Sequence, residues 1–407
     1  MPRITVEQRR ARLMSRHMLH EPAASVPAAA DAMIALHATD PTTLYLSAWA
    51  RTRCAGPAEV DAALYAERGI VRMLGMRRTM FAVPAHLVPV VQRACTDDVA
   101  RRLRRGLERD LARGGLGGVS AIGGADPAEW LRDAGEGALR ALASRGSASG
   151  AELAADEPRL RTQLVYAPDK AYGGQGNITS RVLMLLSAEG LIVRGHRRGG
   201  WSSGQFEWFP VEAWLPGLHS EALDAAAART ELARRWLLTF GPAPAADLQW
   251  WAGWTAGQVK AALAALPVAE VALDGQPGVM LAADLAPVAM PPPCAALLPA
   301  LDPTPMGWQS REWFLGRHVT SLRDRTGNIG PTVWWDGRIV GGWAQRASGD
   351  VVFRLLEDVG TDASAAVAAE ASRLESWLGE SRVTPRFRTP LERELTASSS
   401  FNGAGSE

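Results

Sequence analysis

The sequence predicts an α+β chain of three tandem winged-helix units followed by a C-terminal β-rich domain with a closing helix. Three observations carry this. Helical periodicity gives way to a strand-rich hairpin pattern near residues 70–83, again near 191–209, and again near 268–281. A proline-rich stretch, Pro287 to Pro293, then interrupts the chain, because proline continues neither a helix nor a central strand. Beyond it, short apolar runs flank an Asp336-Gly337 turn, the dipeptide that favours a tight hairpin.

Taken in order, Thr5 to Leu19 reads as a basic amphipathic helix carrying Arg9, Arg10, Arg12 and Arg16. Ala28 to Leu36 continues as a second helix, and Asp40-Pro41 opens a third that runs to about Arg51. His37-Ala38-Thr39 lies between them as a short non-helical stretch. After a helix near Pro57 to Ala66, Ile70 to Val83 forms the first wing, interrupted at Gly75. This first unit spans 1–100.

The second unit, 101–220, has helices at Asp126 to Ser144, Ser149 to Ala155 and Ile178 to Glu189. Gly190 ends the last of these, and Leu191 to Phe209 makes a wing with Arg194, His196, Arg197 and Arg198 at its tip. The third unit, 221–286, reads as Thr230 to Phe240, Pro244 to Trp254 and Thr255 to Leu266, then strands Val268 to Leu273 and Gly278 to Leu281. In the C-terminal domain, 294–396, strands are expected at Cys294 to Leu301, Thr332 to Trp335, Arg338 to Ala344 and Val351 to Leu356, closed by a helix from Ala363 to Leu378. Residues 397–407 are small and polar and are expected to be disordered.

Composition agrees with several units and narrows the function. At 407 residues the chain exceeds the ~250–300 residues at which one core stops growing. A hydrophobic fraction of 47% with 21% charged residues can bury a real core. The net charge of +1 means that any affinity for nucleic acid must come from local patches. Every basic residue except Lys170 and Lys260 is arginine, the better bidentate partner for phosphates and base edges. Cys54, Cys95 and Cys294 fit neither a disulfide framework nor a zinc site, which points to a reducing cytoplasm. No signal-peptide core and no apolar run of ~18–20 residues is present, so membrane roles are set aside.

Winged helices commonly set one helix in the major groove and the wing against the backbone. Arg194, Arg197 and Arg198 are therefore candidate phosphate contacts, alongside the reading of a solvated hairpin. Arg101, Arg102, Arg104, Arg105 and Arg109 form a basic run on one helix; Arg101 and Arg105 stand for a second phosphate patch, and the plainer reading is a solvated face. Arg77 and Arg78 interrupt an apolar strand run and, on a strand, point to opposite faces, one of them into a DNA groove or an ion pair. The fifteen tryptophans suit core and wing packing, with base stacking the alternative. Gly173-Gly174-Gln175-Gly176 lacks a preceding strand and a following Lys-Ser/Thr, so no nucleotide site is expected. The seven histidines lack ligand spacing, and neither a metal nor a cofactor is expected.

The remaining chemistry lies in His37-Ala38-Thr39-Asp40-Pro41. His37 and Thr39, two apart on an extended segment, face the same side and could hold a water, with His37 as general base or as a hydrogen-bonding stabiliser. Thr39 or Asp40 also suits the cap of the helix that begins at Pro41.

The runs ALHATDPTTLYLSAWART and GIVRMLGMRRTMFAVPAHL resemble the N-terminal unit of the winged-helix DNA glycosylases of the AlkZ and YcaQ type. LLPALDPTPMGW and GPTVWWDGRIVGGWAQR look like their C-terminal β-rich domain. The resemblance implies removal of N7-alkylated purines, including bulky adducts and interstrand crosslinks, from double-stranded DNA. It also implies a catalytic Gln-aliphatic-Gln or Gln-aliphatic-Asp motif where His37-Ala38-Thr39 stands. His37 takes the first Gln position and Thr39 the second, and neither matches; Asp40 supplies a negative charge. With lysine so scarce, no amine is expected near His37 to form a Schiff base, and a monofunctional, water-using enzyme acting as a monomer follows. The alternative is a non-catalytic winged-helix protein, either a transcriptional regulator or a lesion-shielding factor.

Overall fold

The computed structural model describes residues 1–54, 56–113, 121–166, 174–217 and 223–397. Lys170, Gly173 and the polar tail from 398 lie outside these. The chain is a mixed α/β assembly of helices with five small sheets.

The N-terminal helix forms at Val6–Arg16, where the Thr5 hydroxyl accepts from the Gln8 N–H. The next helix ends earlier than its periodicity predicts, at Ala32. Ile34 takes a left-handed φ of 67° and reverses the chain, so Leu36–His37 becomes a strand. Tertiary pairing has overridden helical periodicity there. Residues Leu36 and His37 pair antiparallel with Ala82 and Phe81, at the edge of the first hairpin, Ile70–Leu74 with Met80–Pro84. Pro41–Trp49 follows as a helix capped by Asp40.

The second hairpin, Ile192–Arg197 with Phe206–Pro210, follows the helices Pro127–Arg145, Gly150–Asp156 and Thr179–Ala188. Ser149 and Glu152 close a capping box on Gly150–Asp156. A strand not expected from the sequence, Gly174–Asn177, pairs with Gln163–Tyr166. The third hairpin, Val268–Leu273 with Gln276–Leu281, follows Ala225–Phe240, Ala245–Ala252 and Ala256–Ala264. The N-terminal strand Arg3–Ile4 joins it in parallel. The strands Ala295–Leu298, Thr332–Trp335, Arg338–Gln345 and Val351–Leu355 form one antiparallel sheet in chain order, covered by Thr361–Leu378 and by a helix the sequence pattern did not reveal, Pro390–Ala397. Asp336 and Gly337, at φ 49° and 72°, make the predicted tight turn.

Packing does not follow the chain order. One apolar core draws side chains from Leu13 through the first hairpin, the helix Ala225–Phe240 and the C-terminal sheet to Leu395. The 103–208 region keeps a separate core around Leu107, Leu153 and Leu186. The proline stretch is largely exposed but is tied at its start to the first helix: Gln8 bonds Val288 through both its amide N–H and its oxygen, and Arg12 donates to the Ala286 carbonyl at 2.7 Å. Among the described residues no helix is long and apolar enough to cross a membrane.

Candidate nucleic-acid site around His37

The His37 segment is a two-residue strand that ends by substituting side chain for backbone. The Ala38 N–H donates to the Met80 carbonyl at 2.9 Å, and the Met80 N–H then finds the Thr39 hydroxyl at 3.3 Å. Thr39 itself is exposed. Asp40 caps the following helix: its Oδ1 accepts from the Thr42 N–H at 2.9 Å and the Thr42 hydroxyl at 2.8 Å. Its Oδ2 receives only a long bond from the Arg386 N–H, 3.4 Å. Capping therefore leaves one carboxylate oxygen lightly held.

His37 is 5% exposed and sits edge-on to Phe81, ring centroids 5.4 Å apart. Burial pushes its pKa down to about 3; the Arg77 cation adds to this and Asp302 opposes it. The imidazole is neutral at neutral pH. The Thr39 N–H points at Nδ1 from 3.4 Å, which assigns the ring proton to Nε2 by its hydrogen bonding. A ring so buried and so weakly basic is poorly placed to take a proton from water. The ring is held uncharged behind Thr39 by that contact and by Phe81.

Arg77 and Arg78 are not on a strand. They form the turn of the first hairpin, both left-handed at φ 54° and 60°, a conformation that costs non-glycine residues on the order of 1 kcal/mol each. Arg78 is exposed at the apex. Arg77 lies back over the Trp250 indole, 3.8 Å from the ring centroid, and the Arg311 guanidinium is 5.1 Å from the same ring. Burial lowers both guanidinium pKa values to about 10, so both remain charged. Gly253 makes this approach possible. It ends Ala245–Ala252 at φ 73°, and a Cβ there would lie 3.2 Å from the Arg77 side chain.

The other predicted arginines divide by partner. Arg101 is ion-paired with Asp98. Arg105 is exposed and, with Arg102 and Arg109, lines a groove beside the start of Pro127–Arg145. At the second hairpin, Arg198 is tied to both Glu152 and Glu207, and Arg197 donates to the Ser203 carbonyl. Arg194 is not at the tip: it lies within the strand, half-buried, 4.4 Å over Phe206.

Beneath the motif runs a network the sequence reading missed. Arg51 and Asp302, both fully buried, are bidentate at 2.6 and 2.8 Å; Ser47 donates to Asp302 at 2.7 Å, and Arg51 reaches the Thr304 hydroxyl at 2.7 Å. His17 completes it between Thr304 Oγ1 at 2.9 Å and the Thr239 carbonyl at 3.1 Å. The signal was present in Arg51 and in Leu301-Asp302-Pro303-Thr304, but 251 residues separate the pair, beyond the reach of any local pattern.

Arginines thus stand at the turns of the first two hairpins, and a buried neutral imidazole lies beside a helix start. The family model for DNA glycosylase AlkZ-like proteins matches residues 30–377, and the chain belongs to that family of DNA-repair hydrolases. Among solved structures, Streptomyces sahachiroi DNA glycosylase AlkZ is similar over 94% of this chain and 99% of its own, with a TM-score of 0.69 and 19% sequence identity; the likeness is one of fold. No curated protein matches.

Proposed function

We propose that the chain is a monofunctional glycosylase that hydrolyses the N-glycosidic bond of N7-alkylated purines, bulky adducts and crosslinks among them, in double-stranded DNA. In this reading it acts as a monomer without a cofactor. Three tandem winged-helix units, 1–100, 101–220 and 221–286, face the duplex, and the 294–396 domain braces them. Arg78, Arg105 and Arg197 contact phosphates. The observation that carries the reading is the junction of Thr39 with the first hairpin: the exposed hydroxyl is bonded to Met80, two residues from the exposed Arg78.

An N7-alkylated purine is already a cationic leaving group, so the site needs to stabilise an oxocarbenium-like sugar and to orient water. The Asp40 carboxylate provides the negative charge, and the Thr39 hydroxyl the oriented oxygen. His37 stays neutral and holds Thr39 in place. The reading takes water rather than an amine as nucleophile, because lysine is so scarce in the chain.

Duplexes carrying N7-methylguanine or a nitrogen-mustard crosslink test this. Wild type is expected to release the base, with Thr39→Ala slower by at least ~100-fold, the scale of losing one transition-state contact, and His37→Ala slower as well through the loss of Thr39 positioning. Equal release by the variants would remove the motif from the mechanism.

A further inference from the structure

A second arginine cluster lies on the far side of the first hairpin sheet from His37. Arg72 shares its cross-strand row with Ala82 and Leu36, whereas His37 shares the next row with Phe81 and Met73. Neighbouring rows face opposite ways, so Arg72 and His37 project from opposite faces. On its face Arg72, only 4% exposed, meets the second hairpin and donates to the Gly195 carbonyl at 2.5 Å. Arg194 and Arg197 stand beside it on the strand Ile192–Arg197.

What surrounds these guanidinium groups is aromatic rather than acidic. Arg72 is 5.7 Å from the Tyr65 ring and 5.6 Å from Phe206; Arg194 is 4.4 Å from Phe206 and 5.4 Å from Trp208; Arg197 is 5.7 Å from Tyr45. Rings stabilise a cation but accept few of its hydrogen bonds. Each of the three has a buried Nε without a partner, and so does the Tyr65 hydroxyl. The Arg194 side chain forms no hydrogen bond or ion pair among the described residues. The carboxylate on this side, Asp61, is taken up by the Tyr45 hydroxyl at 2.5 Å. Arg72 and Arg194 each fall to about 10: burial is the first cause at both, Arg72 and Arg197 add to it at Arg194, and at Arg72 Tyr65 opposes it, Arg197 adds to it, and Tyr45 and Asp61 oppose it. Next to them a pocket of about 440 Å³ opens between the helix start at Pro57 and the second hairpin, lined by Asp61, Tyr65, His196, Arg197 and Trp201.

One buried and two half-buried like charges with orphaned N–H groups are costly unless an anion joins them. Phosphate oxygens supply the charge and the acceptors at once. We propose that Arg72, Arg194 and Arg197, with the Tyr65 hydroxyl and His196, form a phosphate site that takes a backbone phosphodiester of a DNA strand. The first hairpin would then be held against DNA on the face opposite the His37 motif. The inference rests on reading the chain as a DNA-acting enzyme, and it concerns binding, not bond cleavage.

The test uses undamaged duplex, so it is separate from base release. Affinity is measured by fluorescence anisotropy across a salt series for wild type, Arg194→Gln, Arg197→Gln and Arg194→Lys. Loss of one phosphate contact is expected to lower the slope of log K against log salt by about 0.9 in each glutamine variant, with Arg194→Lys keeping the wild-type slope. Far-ultraviolet circular dichroism and thermal melting confirm that each variant is folded. Slopes unchanged in both folded glutamine variants would overturn the proposal. A parallel arm titrates inorganic phosphate against thermal stability. A stabilisation present in wild type and lost in Arg194→Gln, with the DNA slope unmoved, would assign the site to free phosphate and overturn the DNA assignment. A lowered slope together with failed base release would leave this site standing and count against the catalytic reading alone.

Discussion

Burial keeps both His17 and His37 uncharged, each with its pKa pushed down to about 3. The unfolded chain takes up those protons near 6.5 and the folded one does not until about 3. The stabilisation is therefore complete above about pH 6.5 and is lost as pH falls towards 3, by about 1.4 kcal/mol per pH unit for each histidine. Glu392 acts in the opposite sense. Burial pushes its carboxyl up to about 7 against Arg388, so its contribution is complete below its ordinary value of 4.5 and is lost as pH rises through 7. Between pH 6.5 and 5 the net loss on acidification is thus expected to be about 1.4 kcal/mol per unit in wild type and about twice that in Glu392→Gln. Urea unfolding at pH 7, 6 and 5 measures both, and a midpoint independent of pH in the variant would contradict the histidine assignment. The sequence showed His37 as a titratable group in a candidate motif; that it does not titrate in the working range depends on Phe81, Arg77 and the sheet behind it.

The helix Pro41–Trp49 links the motif to the fold, because Asp40 is both its cap and the source of negative charge beside Thr39. The two roles separate by substitution. Asn caps nearly as well as Asp, so Asp40→Asn is expected to keep stability within ~0.5 kcal/mol, whereas Asp40→Ala loses about 1 kcal/mol. Both remove the charge, and both are expected to lose base release from N7-methylguanine duplex. Full activity in the folded Asn variant would show that Asp40 serves only as a cap. The first hairpin illustrates a second element-scale point. Gly75 and the apolar runs around it made the hairpin legible, but the placement of Arg77 on Trp250 needed the helix end at Gly253, 176 residues further on.

At the scale of the whole molecule, the Arg51–Asp302 pair joins the motif helix to the segment leading into the C-terminal sheet, with His17 bringing in the first helix. Arg51→Met leaves Asp302 buried and unpaired, and a loss of about 3–5 kcal/mol is expected by denaturant unfolding. Adding Asp302→Leu is expected to restore much of it, since removing both charges spares their desolvation. A single variant as stable as wild type would mean that the pair is dispensable. The same scale explains the shared core: residues of the first helix, the first hairpin, Ala225–Phe240 and the C-terminal sheet bury one another, so loosening any one of them exposes the others.

The amino-acid sequence by itself determined the elements whose cause is local. The three hairpins, the capping box at Ser149 and Glu152, the presence of a cap at Thr39 or Asp40 and the turn at Asp336-Gly337 each follow from a handful of neighbouring residues whose backbone preferences agree. The motifs spread along the chain carried the family resemblance as well. Tertiary structure alone decided what those elements do to charge. It ended the second helix at Ala32 and paired Leu36–His37 as a strand, buried the imidazole, folded Arg77 back over Trp250, drew Arg194 off the tip, and set Arg72 among aromatic rings. The reason is physical: periodicity reports which residues seek burial, whereas the ionisation and reach of a side chain depend on partners that the chain brings together from hundreds of residues away.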